Sequence, residues 1–173
     1  MMRHFRTLHP LLLMLAFLAA TPVGSATEPT RPVHALGIRM TGSIGFKGDT
    51  GFNEYPGFGA ELSYQRFFTP RTRLEADFGM RIYDYNPDTR KRYPAWLLAT
   101  SYQWCWPVGR TADFYAGPVL QFGRPYFWFG VGAQTGFDWH FDGPIQLFVD
   151  VRPTWSWWSG FDACLSVGIR CMF

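Results

Sequence analysis

The last thirteen residues of the chain alternate between two kinds of side chain with a period of two. One set is apolar throughout and ends at the C-terminal residue: Phe161, Ala163, Leu165, Val167, Ile169, Cys171 and Phe173. The intervening set contains the charged and small residues Asp162, Ser166, Gly168 and Arg170. Because neighbouring side chains of a strand point to opposite faces, this strand needs an apolar medium on one side and a polar one on the other. The apolar medium is either the core of a soluble sandwich or the lipid of a membrane.

Seven earlier segments repeat the alternation, which makes eight predicted strands in all. Each is at least as long as the roughly nine to eleven residues that a tilted membrane-spanning strand needs. The segments are residues 36–46, 58–68, 73–82, 95–106, 113–123, 126–141 and 145–157. An even number of strands joined as consecutive hairpins closes a sheet without free edges. We therefore predict an all-β fold, an eight-stranded antiparallel up-and-down transmembrane β-barrel.

The links between the predicted strands are an independent check on this topology. Every second link is short and rich in turn-forming residues: Thr69–Thr72, Pro107–Ala112 and Asp142–Pro144. Two of the other four are longer and more polar, as expected of outer loops: Lys47–Pro56 and Asp84–Tyr93. Pro118 and Pro153 lie inside predicted strands and lack a ladder donor, so bulges or twists are expected there.

The N-terminal segment has the three parts of a secretory signal peptide. Arg3 and Arg6 form a basic region, residues 11–20 are apolar, and Gly24 and Ala26 supply the small positions of a cleavage site. Such a short apolar run cannot span a bilayer, which requires about twenty residues. We therefore predict a cleaved signal peptide at residues 1–26 and a single barrel domain at residues 27–173.

The composition agrees with a barrel and argues against a strongly charged partner. Aromatic residues make up 19% of the chain, which suits aromatic belts at the two membrane interfaces. The formal net charge is +3, and two of the basic residues lie in the predicted signal peptide, so nothing indicates nucleic-acid binding.

The predicted inward faces carry most of the charge that falls on the strands. Eight strands leave room inside a barrel for side chains and little else. Opposite charges confined there should pair, because an unpaired buried charge is prohibitively costly. The near balance of acids and bases favours a sealed polar plug over the alternative, a small ion channel. This lumen charge network comprises Arg39, Glu61, Arg73, Glu75, Asp77, Arg81, Asp138, Asp150, Arg152, Asp162 and Arg170.

No catalytic residue is predicted. Some eight-stranded outer-membrane barrels are enzymes that modify lipid A, and such chemistry needs a His beside a Ser or an acid near the outer leaflet. The predicted mature chain has only His34 and His140, both near the predicted periplasmic ends. Asp138 and His140 share a strand face, and we interpret them as a hydrogen-bonded pair. Three serines face inward out of register with either His: Ser63, Ser101 and Ser166.

No cofactor or metal site is predicted either. The segment Asp49–Glu54 in the first loop is only a weak cation candidate. Cys105, Cys164 and Cys171 form no Cys-x-x-Cys motif and are scattered by the strand assignment, so their redox state is left open.

From about Gly57 to Phe173 the chain resembles the small outer-membrane β-barrel proteins common in Bacteroidetes, of the OmpA and Ail type. The resemblance rests on short motifs, of which Asp150-Val151-Arg152-Pro153 is the most specific. The others are residues 59–65, 74–76, 114–117 and 165–173. Outer-membrane barrels characteristically end on an aromatic residue, so the resemblance implies that Phe173 is an assembly signal read by the barrel assembly machinery. It also implies a bacterial outer-membrane location, in contact with outer-membrane lipid and lipopolysaccharide.

Three hypotheses about function follow. The first is a non-enzymatic, monomeric outer-membrane barrel with a plugged lumen and a structural or surface-interaction role. The second is an enzyme that modifies lipid A or phospholipid. The third is a soluble, lipocalin-like periplasmic barrel, which would need an apolar interior.

Overall fold

The computed structural model describes residues 33–45, 56–86, 91–124, 128–156 and 160–173 of the chain. Each strand pairs antiparallel with the next, and the first pairs with the last, so the sheet closes into a barrel. The prediction of an eight-stranded antiparallel up-and-down barrel is confirmed. The predicted signal peptide lies outside the described residues. The strands are β1 His34–Gly45, β2 Gly57–Thr69, β3 Thr72–Asn86, β4 Lys91–Pro107, β5 Ala112–Arg124, β6 Trp128–His140, β7 Ile145–Ser156 and β8 Gly160–Met172.

One end of the barrel, here called the terminal end, holds the first residue of β1 and the last residue of the chain. His34 and Phe173 exchange two backbone hydrogen bonds there, at 3.0 and 2.9 Å. The three short turns β2–β3, β4–β5 and β6–β7 lie at the same end. Two of these turns contain a glycine with positive φ, Gly109 at 87° and Gly143 at 120°, a conformation that L side chains rarely adopt. The opposite end is called the loop end.

The strand register makes each row of paired residues climb around the barrel. One row starts at Ala35 on β1 and continues through Gln65, Glu75, Ser101, Val119, Gly132, Thr154 and Asp162. It returns to β1 at Gly45, ten positions nearer the loop end. For a rise of about 3.3 Å per residue and a strand tilt of roughly 40°, the row climbs about 3 Å along the barrel axis at each strand.

The two faces of the sheet differ in chemistry as the alternation predicts. Side chains on the outer face are apolar and exposed, for example Leu36, Met40, Leu165 and Val167. The buried interior is dominated by charged and amide side chains. This is the reverse of the apolar interior that a lipocalin-like barrel would need to hold an apolar ligand.

The structure differs from the sequence predictions at two places. The link predicted at Asp84–Tyr93 is shorter, because β3 runs to Asn86 and β4 begins at Lys91, with a register irregularity between Asp84 and Asn86. Across that irregularity the two strands continue to pair, although the polar sequence of these residues is typical of a loop.

Bulges or twists were expected at Pro118 and Pro153, and the described strands contain no bulge at either proline. The β4–β5 ladder is interrupted opposite Pro118 and the β6–β7 ladder opposite Pro153, but the register on both sides of each interruption is unchanged. Each proline removes a ladder donor, and the flanking pairs hold the strands in place. The second register irregularity lies elsewhere, between Phe67 and Thr69.

In the part of the chain that the structure describes, no helix is long and apolar enough to cross a membrane.

Candidate functional site: the charged interior

All eleven side chains of the lumen charge network lie inside the barrel. The most exposed of them, Asp162, has 8% of its surface accessible. Six strands supply them: β1, β2, β3, β6, β7 and β8. Ten ion pairs join the eleven groups without a break from the loop end to the terminal end.

The loop-end part of the network is built around Glu61. Arg81 donates to Glu61 at 2.8 Å and lies 3.5 Å from Asp162. Arg152 lies 3.4 Å from the other oxygen of Glu61 and also pairs with Asp77 at 2.5 Å. Each of these carboxylates therefore has a buried cation beside it, which offsets the cost of removing it from water.

Arg39 is the centre of the network. Its guanidinium pairs with Glu75 and lies 3.3 Å from both Asp77 and Asp150. Two strands that are not neighbours of β1 thereby converge on one cation, since Glu75 and Asp77 belong to β3 and Asp150 to β7. The planar five-donor guanidinium is suited to such a position because it can serve several carboxylates at once.

The terminal-end part of the network passes from Glu75 to Asp138. Arg170 pairs with Glu75 at 2.8 Å and with Asp138 at 3.1 Å. Asp138 also pairs with Arg73. Arg170 additionally donates to the hydroxyl of Ser63 at 3.3 Å.

Neutral side chains complete the coordination of the carboxylates, and sequence reasoning did not identify them. Gln65, Gln103 and Gln134 all donate to Glu75. Tyr115 donates to Asp150 at 3.0 Å. The alternation places these residues on the inward face, but uncharged side chains give no signal of ion pairing in the sequence.

Two aromatic rings lie within the charged interior and were also missed. Phe148 is fully buried, with the guanidinium carbons of Arg170 and Arg39 at 3.5 and 4.9 Å from its ring centroid. The guanidinium carbon of Arg73 lies 4.4 Å from the ring centroid of Tyr115. Cations above aromatic faces are attracted by the ring quadrupole, and the attraction is strongest where water is excluded.

Glycines on neighbouring strands provide the space for the longest interior side chains. Gly37 lies opposite Arg170, and a Cβ added to it would lie 2.5 Å from Cγ of that arginine. Gly168 lies opposite Phe148, and a Cβ there would lie 2.3 Å from Cζ of the ring. In the narrow interior, a large side chain on one strand therefore lies opposite a glycine on the next strand.

The remaining sector of the interior is mostly neutral, although Asp113 on β5 lies in it near the terminal end. β4 and β5 contribute no member of the network, and their inward residues include Ala95, Leu97, Ala99 and Val119, each no more than 6% exposed. Most inward side chains of the described strands are therefore buried.

Both histidines lie at the terminal end, where they were predicted. His34 shares a 2.8 Å hydrogen bond with the Tyr64 hydroxyl, and His140 shares one of 2.9 Å with Asp113. The interpretation of Asp138 and His140 as a pair is wrong: Asp138 is bound by two arginines, and Asp113 on the adjacent strand takes its place.

The three serines considered above as nucleophiles are engaged elsewhere. Ser63 accepts from Arg170, Ser101 accepts from Gln103 at 2.8 Å, and Ser166 lies 3.3 Å from the Thr41 hydroxyl. Among the described residues, no serine–histidine hydrogen bond of the kind needed to activate a nucleophile is present.

Metal-ligating side chains do not cluster in the described parts of the chain. The cation candidate Asp49–Glu54 lies outside the described residues. All three cysteines are free thiols; Cys105 and Cys164 are buried, and Cys171 is exposed on the outer face.

Aromatic side chains are exposed near both ends of the outer face. The terminal end carries Trp104, Trp106, Trp139, Phe141 and Phe173, and the loop end carries Trp96 and Trp155. Of the other aromatics expected in the loop-end belt, Tyr83 lies instead on the inward face of β3, which contradicts that expectation. Five more lie where side chains are not described: Tyr85, Tyr93, Tyr126, Trp157 and Trp158. Trp and Tyr rings at such levels are characteristic of membrane–water interfaces.

The fold is similar to that of solved outer-membrane barrels, although the sequence identity is low. The crystal structure of neisserial surface protein A matches with a TM-score of 0.68 and 14% identity, over 84% of this chain and all of the other. Ail, the attachment invasion locus protein of Yersinia pestis, matches with a TM-score of 0.54 and 10% identity, over 83% of this chain and all of the other.

A de novo designed transmembrane β-barrel matches with a TM-score of 0.56 and 12% identity, over 84% of this chain and all of the other. No protein-family model matches the chain. No curated protein matches its sequence. At these identities the likeness establishes the fold, that of a small outer-membrane-type barrel, and nothing about activity.

Proposed function

We propose that this protein is an integral, monomeric barrel of the bacterial outer membrane. Its lumen is sealed by an ion-pair network, and it has no catalytic activity. It acts through membrane integrity and through the surfaces it presents to lipid and at the loop end. Its partners are outer-membrane lipid and lipopolysaccharide.

The continuous network of eleven buried charges is the observation that carries the proposal. Ten ion pairs cross the interior, and no member of the network is more than 8% exposed. A water-filled pore would leave a row of accessible polar side chains along its wall. A plug of paired charges is the arrangement that an eight-stranded barrel favours, because its interior holds little besides side chains.

The membrane location is supported by the outer face. Its exposed side chains form an apolar band between two aromatic ends, as lipid requires. The expected result is an outer-membrane band whose mobility on a denaturing gel shifts on boiling, because closed barrels resist detergent until heated. A soluble periplasmic protein without this shift would refute the location.

The absence of catalysis is supported by the positions of the histidines. Both lie at the terminal end, each bound to a tyrosine or an aspartate, and far along the strands from the loop end. Mass spectrometry of lipid A and phospholipids from a deletion strain tests this. We expect the same species as in the parent strain, and a missing or added acyl chain would favour the enzyme hypothesis.

Phe173 is proposed as the assembly signal. It ends the chain beside β8 with 64% of its surface exposed, and its ring stacks on His34. Replacement of Phe173 with Ser is expected to lower the yield of heat-modifiable barrel in cells but not the refolding yield of purified protein in detergent. Equal loss in both would mean that Phe173 acts through stability. The kinship with Bacteroidetes barrels of the OmpA and Ail type is part of the same proposal.

Swelling of proteoliposomes in isosmotic solutions of small sugars tests the sealed lumen. The protein is expected to leave the swelling rate of the liposomes unchanged, whereas a general porin at the same protein-to-lipid ratio accelerates it. Swelling that depends on sugar size would establish a pore.

A further inference from the structure

A groove runs obliquely across the lipid-facing side of the barrel. Its volume is about 550 Å³, and it crosses strands β7, β8, β1, β2, β3 and β4. Two neighbouring rows of outward side chains form its walls, and the inward-facing residues Arg39 and Glu61 lie between these rows. The residues that line it include Met40, Ala60, Met80 and Trp96.

In one row of the groove, the small side chain of Ala60 lies between two methionines. Met40 is its partner on β1 and Met80 its partner on β3. Methionine side chains are flexible and adapt to an irregular apolar guest. The walls are apolar throughout, so the groove suits a hydrocarbon chain.

The same row continues from the groove to a cation. Met80 pairs with Trp96 on β4, and Trp96 pairs with Arg124, the last residue of β5. Arg124 is exposed and faces outward. Among the outward strand side chains that the structure describes, Arg124 and Arg66 are the only charged residues of the types Arg, Lys, Asp and Glu. Arg66 is buried near the terminal end.

Because the row of paired residues is inclined to the barrel axis, the groove extends over a range of depths in a membrane. The row climbs about 3 Å per strand, so the five steps from β7 to β4 raise it about 15 Å, roughly half of a 30 Å hydrocarbon core. The upper end lies at Trp96, which is half exposed and stacks on Phe78 with 5.7 Å between ring centroids. A tryptophan at this place marks the headgroup level, and Arg124 lies one step above it.

From this geometry we infer a binding site for lipid A, the phosphorylated and acylated part of lipopolysaccharide in the outer leaflet. One acyl chain lies in the groove over Ala60, and a phosphate pairs with Arg124. The inference rests on the proposed outer-membrane location, because the loop end must face the leaflet that contains lipopolysaccharide. The combination of a leaflet-deep apolar groove and a cation at its upper end is what selects an anionic lipid over a neutral one.

Native mass spectrometry of the full-length mature barrel in detergent, with purified lipid A as the probe, tests the site. Ala60→Phe fills the groove, and Ala133→Phe is its matched control because Ala133 is an exposed, outward alanine on β6. Arg124→Gln removes the cation, and Arg110→Gln is its control in a turn at the terminal end. Every variant must first show the heat-dependent gel shift; Ala60→Leu replaces Ala60→Phe if the latter does not fold.

The wild-type barrel is expected to retain lipid A in preference to phosphatidylglycerol and phosphatidylethanolamine. Ala60→Phe should weaken retention about tenfold, since several buried methylenes lose their contacts. Arg124→Gln should weaken it about threefold, the effect of one exposed ion pair. The two controls should bind as the wild type does.

Equal retention by Ala60→Phe and Ala133→Phe would overturn the site. Equal retention of phosphatidylglycerol and lipid A would overturn the choice of ligand. A dimer that Ala60→Phe dissociates would mean that a second copy covers the groove instead. In all three cases a normal gel shift would leave the proposed membrane barrel intact, whereas loss of the shift in the wild type would refute the proposed function itself.

Discussion

The guanidinium carbon of Arg170 lies 3.5 Å from the centroid of the Phe148 ring, within the charged interior of the barrel. The ring also faces Arg39, and Gly168 on the adjacent strand leaves room for it. Arg39 and Arg170 both bind Glu75, so the aromatic ring packs against the two cations that share one carboxylate. Phe148 therefore holds the central ion pairs in position as well as filling space.

Phe148→Leu is expected to lower the free energy of unfolding by about 2–4 kcal/mol, because it opens a gap and removes a desolvated cation–π contact. Urea titration of the barrel in lipid vesicles, followed by tryptophan fluorescence, measures this. Phe137→Leu on the outer face is the control and should change the value by less than about 1 kcal/mol, since lipid fills the space. Equal effects of the two substitutions would contradict a structural role for Phe148.

The alternation of side chains was sufficient to predict the number of strands and the closure of the barrel. It was sufficient because a one-residue slip would turn every charge of a strand towards lipid. The pairing inside the barrel could not be predicted in the same way. Arg39 and Glu75 lie on strands that are not adjacent, and their meeting depends on the climb of the register around the whole barrel.

Asp138 illustrates the same limit. Sequence proximity suggested His140 as its partner, two residues away on one face. Arg73 and Arg170 approach it from β3 and β8 instead, and His140 turns to Asp113. Electrostatic attraction to two cations outweighs a local contact with a neutral or singly charged ring. The partners of Asp138 depend on how strands that are distant in sequence face each other across the shared interior.

Gly168→Ala is expected to impair folding, because the added Cβ would lie 2.3 Å from the carbonyl oxygen of Ile38 and from Cζ of Phe148. Overpacking of this kind costs about 1–3 kcal/mol. Gly42→Ala is the control, since its Cβ would meet only Phe58 at 3.6 Å. The fraction of heat-modifiable barrel after refolding is the readout, and equal fractions for the two variants would contradict the packing described.

Thiol labelling tests the burial of the cysteines. Cys105 and Cys164 are 4% and 1% exposed, whereas Cys171 lies on the outer face. A small, membrane-permeant maleimide should add one label to the folded barrel, three to the unfolded chain, and none to folded Cys171→Ser. Mass spectrometry counts the labels. Fewer than three labels on the unfolded, unreduced chain would indicate a disulfide and contradict the free thiols.

Val167→Arg is expected to block membrane assembly. Val167 is exposed on the outer face of β8, where it pairs with Met40 and Val149. An arginine facing lipid near the bilayer centre costs roughly 2–4 kcal/mol. Val167→Leu should assemble normally. The amount of heat-modifiable protein in the outer-membrane fraction is the measurement, and normal insertion of Val167→Arg would mean that this face does not meet lipid.

Ion conductance across a planar bilayer is the most direct test of the sealed lumen. The wild-type barrel is expected to give no conductance steps under conditions in which a porin does. Replacing both Arg39 and Glu75 with Ala removes the central ion pair and should produce ion-conducting events, since a gap then opens in the middle of the network. Stable, reproducible conductance steps from the wild-type barrel would contradict the account.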